Sequence, residues 1–165
     1  MPFATNASLT STDLNNMWRG LYRDNSDHAV TGVTTETTMA TLTITGNTIG
    51  STGSLEITAA GTITGTAGSK TINLYLGATV IATITEASAT TSNWTFRVVC
   101  ANTSNSAQRW FVTRSTNDAT TTTVAYTTSA IDTTQNQVLK ITATLGNTGD
   151  TVTQSMFQVN VCQIT

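Results

Sequence analysis

The one histidine, His28, stands beside Asp24 and Asp27 in RDNSDHAVTG, residues 23–32. A carboxylate that orients an imidazole is two parts of a hydrolytic site, the third being a serine whose proton the imidazole removes. Serines are plentiful, yet no Gly-X-Ser-X-Gly elbow presents one, so His28 reads as a solvated or interface residue. Asp24, Asn25 and Asp27 are oxygen ligands of the kind calcium takes, but Ala29, Val30 and Thr31 follow where a binding loop needs further oxygens. One histidine and two distant cysteines make no zinc cluster. Glu36, Glu56, Glu86 and the aspartates stand mostly in or near turn sequences, where capping or solvation is the ordinary role of a carboxylate. The sequence therefore predicts no catalytic residue, no metal site and no cofactor.

GTITGTAGSKT, residues 61–71, poses the question of a phosphate cradle. A P-loop needs glycine, four residues, then Gly-Lys-Ser/Thr, because backbone N–H groups wrap the phosphates. Here Ser69 precedes Lys70, and Thr64 stands where the first glycine belongs. The stretch reads instead as a turn of small residues. Cys100, Trp110 and Cys162 follow the order of an immunoglobulin domain, but Asn160 stands where that fold has its tyrosine. Two free thiols are the better reading.

These residues need elements to hold them. Only 10% of the 165 residues are charged, against roughly 25% in an ordinary soluble domain. Threonine alone is about a quarter of the chain, and β-branched residues favour strands. A net charge of −2 without any cluster of Lys and Arg argues against a nucleic-acid partner. The apolar runs are shorter than the roughly 20 residues that cross a bilayer as a helix, so no membrane partner is expected, and the first residues lack a secretory pattern.

Near the start, Leu14, Met17, Trp18 and Leu21 recur at helical spacing, with Ser11 or Thr12 as a cap and Arg19 and Arg23 at the C-terminal end. This predicts a short N-terminal helix, interrupted at Gly20. From about Thr37 the period becomes two. Ala40, Leu42 and Ile44 alternate with threonine, as do Leu55, Ile57 and Ala59, then Ile72, Leu74 and Leu76, then Val80, Ala82 and Ile84. Trp94, Phe96, Val98 and Cys100 share a face, followed by Trp110 and Val112, the weaker Val124 and Tyr126, then Leu139 to Leu145, and Phe157, Val159 and Val161. Turn signals such as LGAT, NTSNS and LGNTGD part them. The expectation is an all-β antiparallel sandwich of eight or nine strands, jelly-roll-like, over 33–165. Residues 1–32 are expected to form an arm that serves assembly. Its interface residues would be Leu14, Met17, Trp18, Arg19, Leu21, Tyr22 and Arg23, since aromatic residues with arginine anchor interfaces.

GSLEITAAGTITGTAGSKTINLYLGATVIATI, residues 53–84, resembles a pattern found in virion proteins of tailed bacteriophages. LNNMWRGLYRDNSDHAVTG (14–32) and NWTFRVVCANTSNSAQRW (93–110) resemble other parts of it. The resemblance implies a non-enzymatic structural protein of the virion, made in the host cytoplasm. A homotrimeric capsid decoration or cement protein bound to the major capsid protein is the first form of that reading, on the strength of a short chain without a fibrous shaft. A tail-fibre or spike module that binds a host receptor or glycan is the alternative, with Trp94, Trp110 and Tyr126 as the aromatic candidates. It further implies turn roles for Gly61, Gly65 and Gly68, and an edge position for Lys70.

Overall fold

Threonine and aliphatic residues in alternation keep one face of an extended backbone dry, and the computed structural model, which describes residues 17–87, 91–116 and 123–163, is built of strands and contains no helix among them. In chain order these are β1 (Arg19–Asp24), β2 (His28–Thr31), β3 (Thr37–Ile44), β4 (Ser54–Thr64), β5 (Lys70–Leu76) and β6 (Thr79–Glu86). There follow β7 (Ser92–Ser104), β8 (Ala107–Thr116), β9 (Thr123–Ser129), β10 (Gln137–Thr144) and β11 (Thr151–Cys162). A seven-stranded sheet runs β1-β11-β4-β7-β8-β9, with β2 also on β11, and a four-stranded sheet runs β3-β10-β5-β6. All pairings are antiparallel. The two sheets form the expected antiparallel sandwich.

The core lies between them and follows the period-two reading closely. Leu55, Ile57 and Ala59 of β4, Ile72, Leu74 and Leu76 of β5, and Phe157, Val159 and Val161 of β11 are fully buried. On β7 the alternation puts Trp94, Phe96, Val98 and Cys100 inside and Arg97 in solvent. Each large apolar side chain removed from water contributes about 1.5–3 kcal/mol, so this interior drives the fold. At β6 a register break between Leu74 and Tyr75 changes the pattern: Ile81 and Ala82 are both buried, and Val80, expected inside, is exposed.

The N-terminal segment differs from the helical expectation. Leu14 and the capping residues lie outside the described residues. From Arg19 to Asp24 the chain is strand β1, paired along β11 from Arg19↔Val161 to Asp24↔Phe157. Helical spacing is a local signal, whereas β11 offers this stretch a backbone partner and a place for its side chains. Leu21 and Tyr22 pack on the core, and the Tyr22 ring lies 5.5 Å from that of Phe157. A short isolated helix is marginal in water, so pairing wins. β2 pairs with β11 further on, from His28↔Gln154 to Thr31↔Thr151. Residues 19–31 of the expected arm are thus strands of the larger sheet.

The glycine-rich stretch is a strand followed by a turn with its own anion. Gly61 is not in a turn but inside β4, where a Cβ would collide with the Thr153 backbone. Gly65 has φ 140°, and a Cβ there would run into the Asp150 carboxylate. Oδ1 of Asp150 accepts from the N–H (2.7 Å) and hydroxyl (2.8 Å) of Thr66, and Oδ2 from the Asn147 N–H at 3.1 Å. Lys70, expected at a sheet edge, opens the interior strand β5, is fully buried, and donates to the Thr66 carbonyl at 2.6 Å. Burial alone would raise the Asp150 pKa, but the hydrogen bonds from Thr66 and Asn147 and the Lys70 charge outweigh it and hold the carboxyl below its ordinary value.

Replacing Asp150 by alanine removes the buried acceptor of the Thr66 and Asn147 donors and a negative charge near the buried Lys70. Asp150→Ala is expected to destabilise by about 2–4 kcal/mol in urea denaturation at neutral pH. Because the folded pKa is depressed, this stabilisation is full above the unfolded value near 4 and is lost as pH falls through the folded value, so wild type and variant converge in acid. A loss under about 1 kcal/mol at pH 7 would contradict the assignment.

Candidate functional site

The outward face of the larger sheet carries an open apolar patch where β8 meets β9. Trp110 and Val112 of β8 point into the core, so their neighbours Arg109, Phe111 and Thr113 point out. The pairing places Phe111 directly opposite Tyr126 on β9 and Val99 on β7, and Thr113 opposite Val124 and Arg97. Phe111, Tyr126 and Val124 are 52%, 57% and 72% exposed. The Phe111 and Tyr126 rings lie 5.3 Å apart, tilted by 59°. Beyond Val99 the same row reaches Glu56, whose Oε1 accepts from Arg97 Nη2 at 3.4 Å.

β9 is fixed to the sandwich from beneath. Gln108, almost fully buried, accepts on Oε1 from the Ser129 hydroxyl (2.9 Å) and the Ile131 N–H (2.8 Å), and donates through Nε2 to the Ile131 carbonyl at 3.0 Å. Trp110 Nε1 donates to the Ser129 hydroxyl at 2.8 Å. The end of β9 is therefore held rigidly while its upper face stays open. Such a patch offers shape and exposed apolar area to a contacting partner.

Of the aromatic candidates named from sequence, only Tyr126 is available. Trp94 and Trp110 are core residues, and Trp94 Nε1 donates to the Thr153 carbonyl at 3.1 Å. Phe111 was missed, although the strict alternation of β8 around Trp110 already assigned it to the outside. Among the expected interface residues, Leu14 lies outside the described residues. Met17 and Trp18 are about half exposed, Arg19 and Arg23 are exposed, and Leu21 and Tyr22 lean on the core. Residues 20–23 of β1 line a shallow cleft with Gln158 and Asn160 of β11.

Two titratable clusters lie on the surface, and one thiol lies beneath it. His28 Nε2 is 2.7 Å from Asp24 Oδ2, and Asp24 Oδ1 accepts from the Ser26 N–H at 2.8 Å. That N–H first, then His28, holds the Asp24 carboxyl below its usual range, and the pair closes the turn between β1 and β2. Cys100 is buried, which pushes its thiol up to about 12 and keeps it protonated; neither Cys100 nor Cys162 is in a disulfide, as expected. On the outer face of the smaller sheet, Glu36 Oε1 accepts from Thr142 (2.6 Å), Tyr75 (2.7 Å) and Asn73 (3.4 Å), and Lys140 Nζ stands 4.5 Å from the Tyr75 ring centre. This cluster fastens the loop before β3 to the sheet. Among the described residues no three His, Cys, Asp or Glu side chains gather to hold a metal.

No family model and no curated protein matches the sequence. Among solved structures, the chain resembles the CBM2 module of the Lactobacillus casei BL23 phage J-1 evolved Dit, over 73% of this chain and 67% of that one, at 10% identity and a TM-score of 0.41.

The Glu36 cluster is open to a direct check. The Thr142 hydroxyl contributes most to the lowered Glu36 pKa and the Tyr75 hydroxyl next. Tyr75→Phe and Thr142→Val should each raise that pKa toward the ordinary carboxylate value in a carboxyl-carbon NMR titration, most in the double variant. Glu36 itself is exposed to solvent, which screens the interaction, so the stability change of each single variant should stay within about 1 kcal/mol. An unmoved Glu36 titration would show that these hydroxyls do not bind it.

Proposed function

We propose that the chain is a non-enzymatic structural protein of a tailed-bacteriophage virion, acting as a homotrimeric decoration subunit on the major capsid protein. The observation that carries the assembly reading is the open strand β9 with the Phe111, Tyr126 and Val124 patch beside it. A monomer that works alone in solution gains nothing from an uncharged edge bordered by exposed aromatic side chains, whereas a subunit covers it in the assembled particle. The virion reading draws on the resemblance of residues 14–32, 53–84 and 93–110 to such proteins. Low charge and a threonine-rich exterior suit a surface built for contact with other proteins of the same particle. No cofactor takes part.

A tail-fibre or spike subunit that binds a host receptor or glycan is the second reading. Its support is the same aromatic pair, since aromatic faces stack on sugars and the hydroxyls of Thr113 and Thr128 stand beside them. Antibody labelling of purified virions with quantitative copy counting separates the two. Hundreds of copies spread over the head are expected; labelling confined to the tail, at a few dozen copies or fewer, would overturn the decoration role in favour of the second reading.

A further inference from the structure

Among the described residues the sandwich has four sheet edges: β1 with the short β2 along one side of β11, and β9, on the larger sheet, and β3 and β6 on the smaller. Three of them carry a device that discourages another strand. β1 has a register break between Gly20 and Tyr22 and bears Arg19, Arg23 and Asp24. β3 meets a break in β10 between Ile141 and Thr142 and packs beside β2. β6 is offset against β5 between Leu74 and Tyr75, ends on Glu86, and has its Thr83 carbonyl taken by Arg114 Nη1 at 2.7 Å. Bulges and edge charges of this kind twist or block an edge. β9 has neither. Its seven residues, TVAYTTS, include no charge, proline or glycine. It follows β8 unbroken from Gln108↔Ser129 to Arg114↔Thr123, and no strand pairs with its other side among the described residues.

We infer that this side of β9 pairs with β9 of a second copy, antiparallel about a two-fold axis through Tyr126. The inference rests on the assembly reading above and names the partner of that surface. A neutral strand is its own electrostatic complement, since pairing brings no like charges together, while a charged strand would find no opposite charge on β9. Tyr126 is the middle residue of β9, so the axis pairs the full length of the strand. Val124 then lies opposite the partner's Thr128, and Tyr126 opposite its own equivalent. Both Phe111 and Tyr126 pairs join into one row of rings on a single face, extending the cross-strand row already present in each copy. Combined with a three-fold axis, the same contact joins two trimers face to face, so the assembled mass is an even multiple of the chain in either case.

Two double variants with substitutions at the same exposed positions test this. Val124→Lys with Thr128→Glu sets opposite charges across the two-fold at both ends. Val124→Glu with Thr128→Glu sets like charges there. Light scattering coupled to gel filtration should give wild type an even-numbered mass. The first variant should keep that mass. The second should fall to half of it, with a dissociation constant weaker by about ten-fold or more. Thermal unfolding of the dissociated second variant should match that of dissociated wild type, because both positions point into solvent. An odd-numbered or monomeric wild type, or two variants that behave alike, would overturn the pairing. Neither result bears on where antibody labels the virion, so failure here is distinct from failure of the virion reading.

Discussion

A sheet that ends must do something with the hydrogen-bonding groups of its last strand, and a chain with only 10% charged residues has few lysines or glutamates to set there. This constraint organises the molecule. Several charges are committed to structural work: Lys70 and Asp150 hold the turn before β5, Arg97 meets Glu56, Glu36 collects three hydrogen bonds, and Arg114 closes the edge of β6. Edge protection therefore falls mainly to backbone irregularity. Register breaks stand at β1, β3 and β6, while β9 runs straight.

The same economy explains the interior. Buried polar groups are satisfied by specific partners, with Gln108 bonded through both ends of its amide and Asn102 donating to Gly50 O (2.7 Å) and the Thr133 hydroxyl (3.1 Å). These side chains link strands to loops and fix β9 relative to β8. Among the described residues the exception is Gln154, fully buried on β11 where the register breaks against β4, with neither end of its amide bonded. An unsatisfied amide in the core is costly, and a buried water is the usual remedy where space allows.

Strands with one wet and one dry face were legible residue by residue. Trp94 to Cys100, Leu55 to Ala59 and Phe157 to Val161 read from alternation alone, because burial of one face imposes a period of two. Val80 was misplaced because a bulge shifts the phase, and nothing within β6 announces it. β1 was misread because Leu14, Met17, Trp18 and Leu21 keep helical spacing, while the partner that makes Arg19–Asp24 a strand lies more than a hundred residues away in β11. The site was legible in part. Tyr126 was singled out, and Phe111 was available from the alternation of β8. The openness of β9 was not, since which strand ends a sheet is decided by topology. Glu36 has no sequence signal either, because its partners Tyr75 and Thr142 come from two distant strands.

The account stands or falls on whether β9 is an edge made to be paired. Amide hydrogen exchange of the associated protein against the same protein diluted until it dissociates reads this strand by strand. The account predicts that amides of residues 123–129 gain protection on association, while those of the guarded edges, 37–44 and 79–86, keep their dissociated rates. Exchange in 123–129 that is equally fast in both states, with protection gained at another edge, would contradict it.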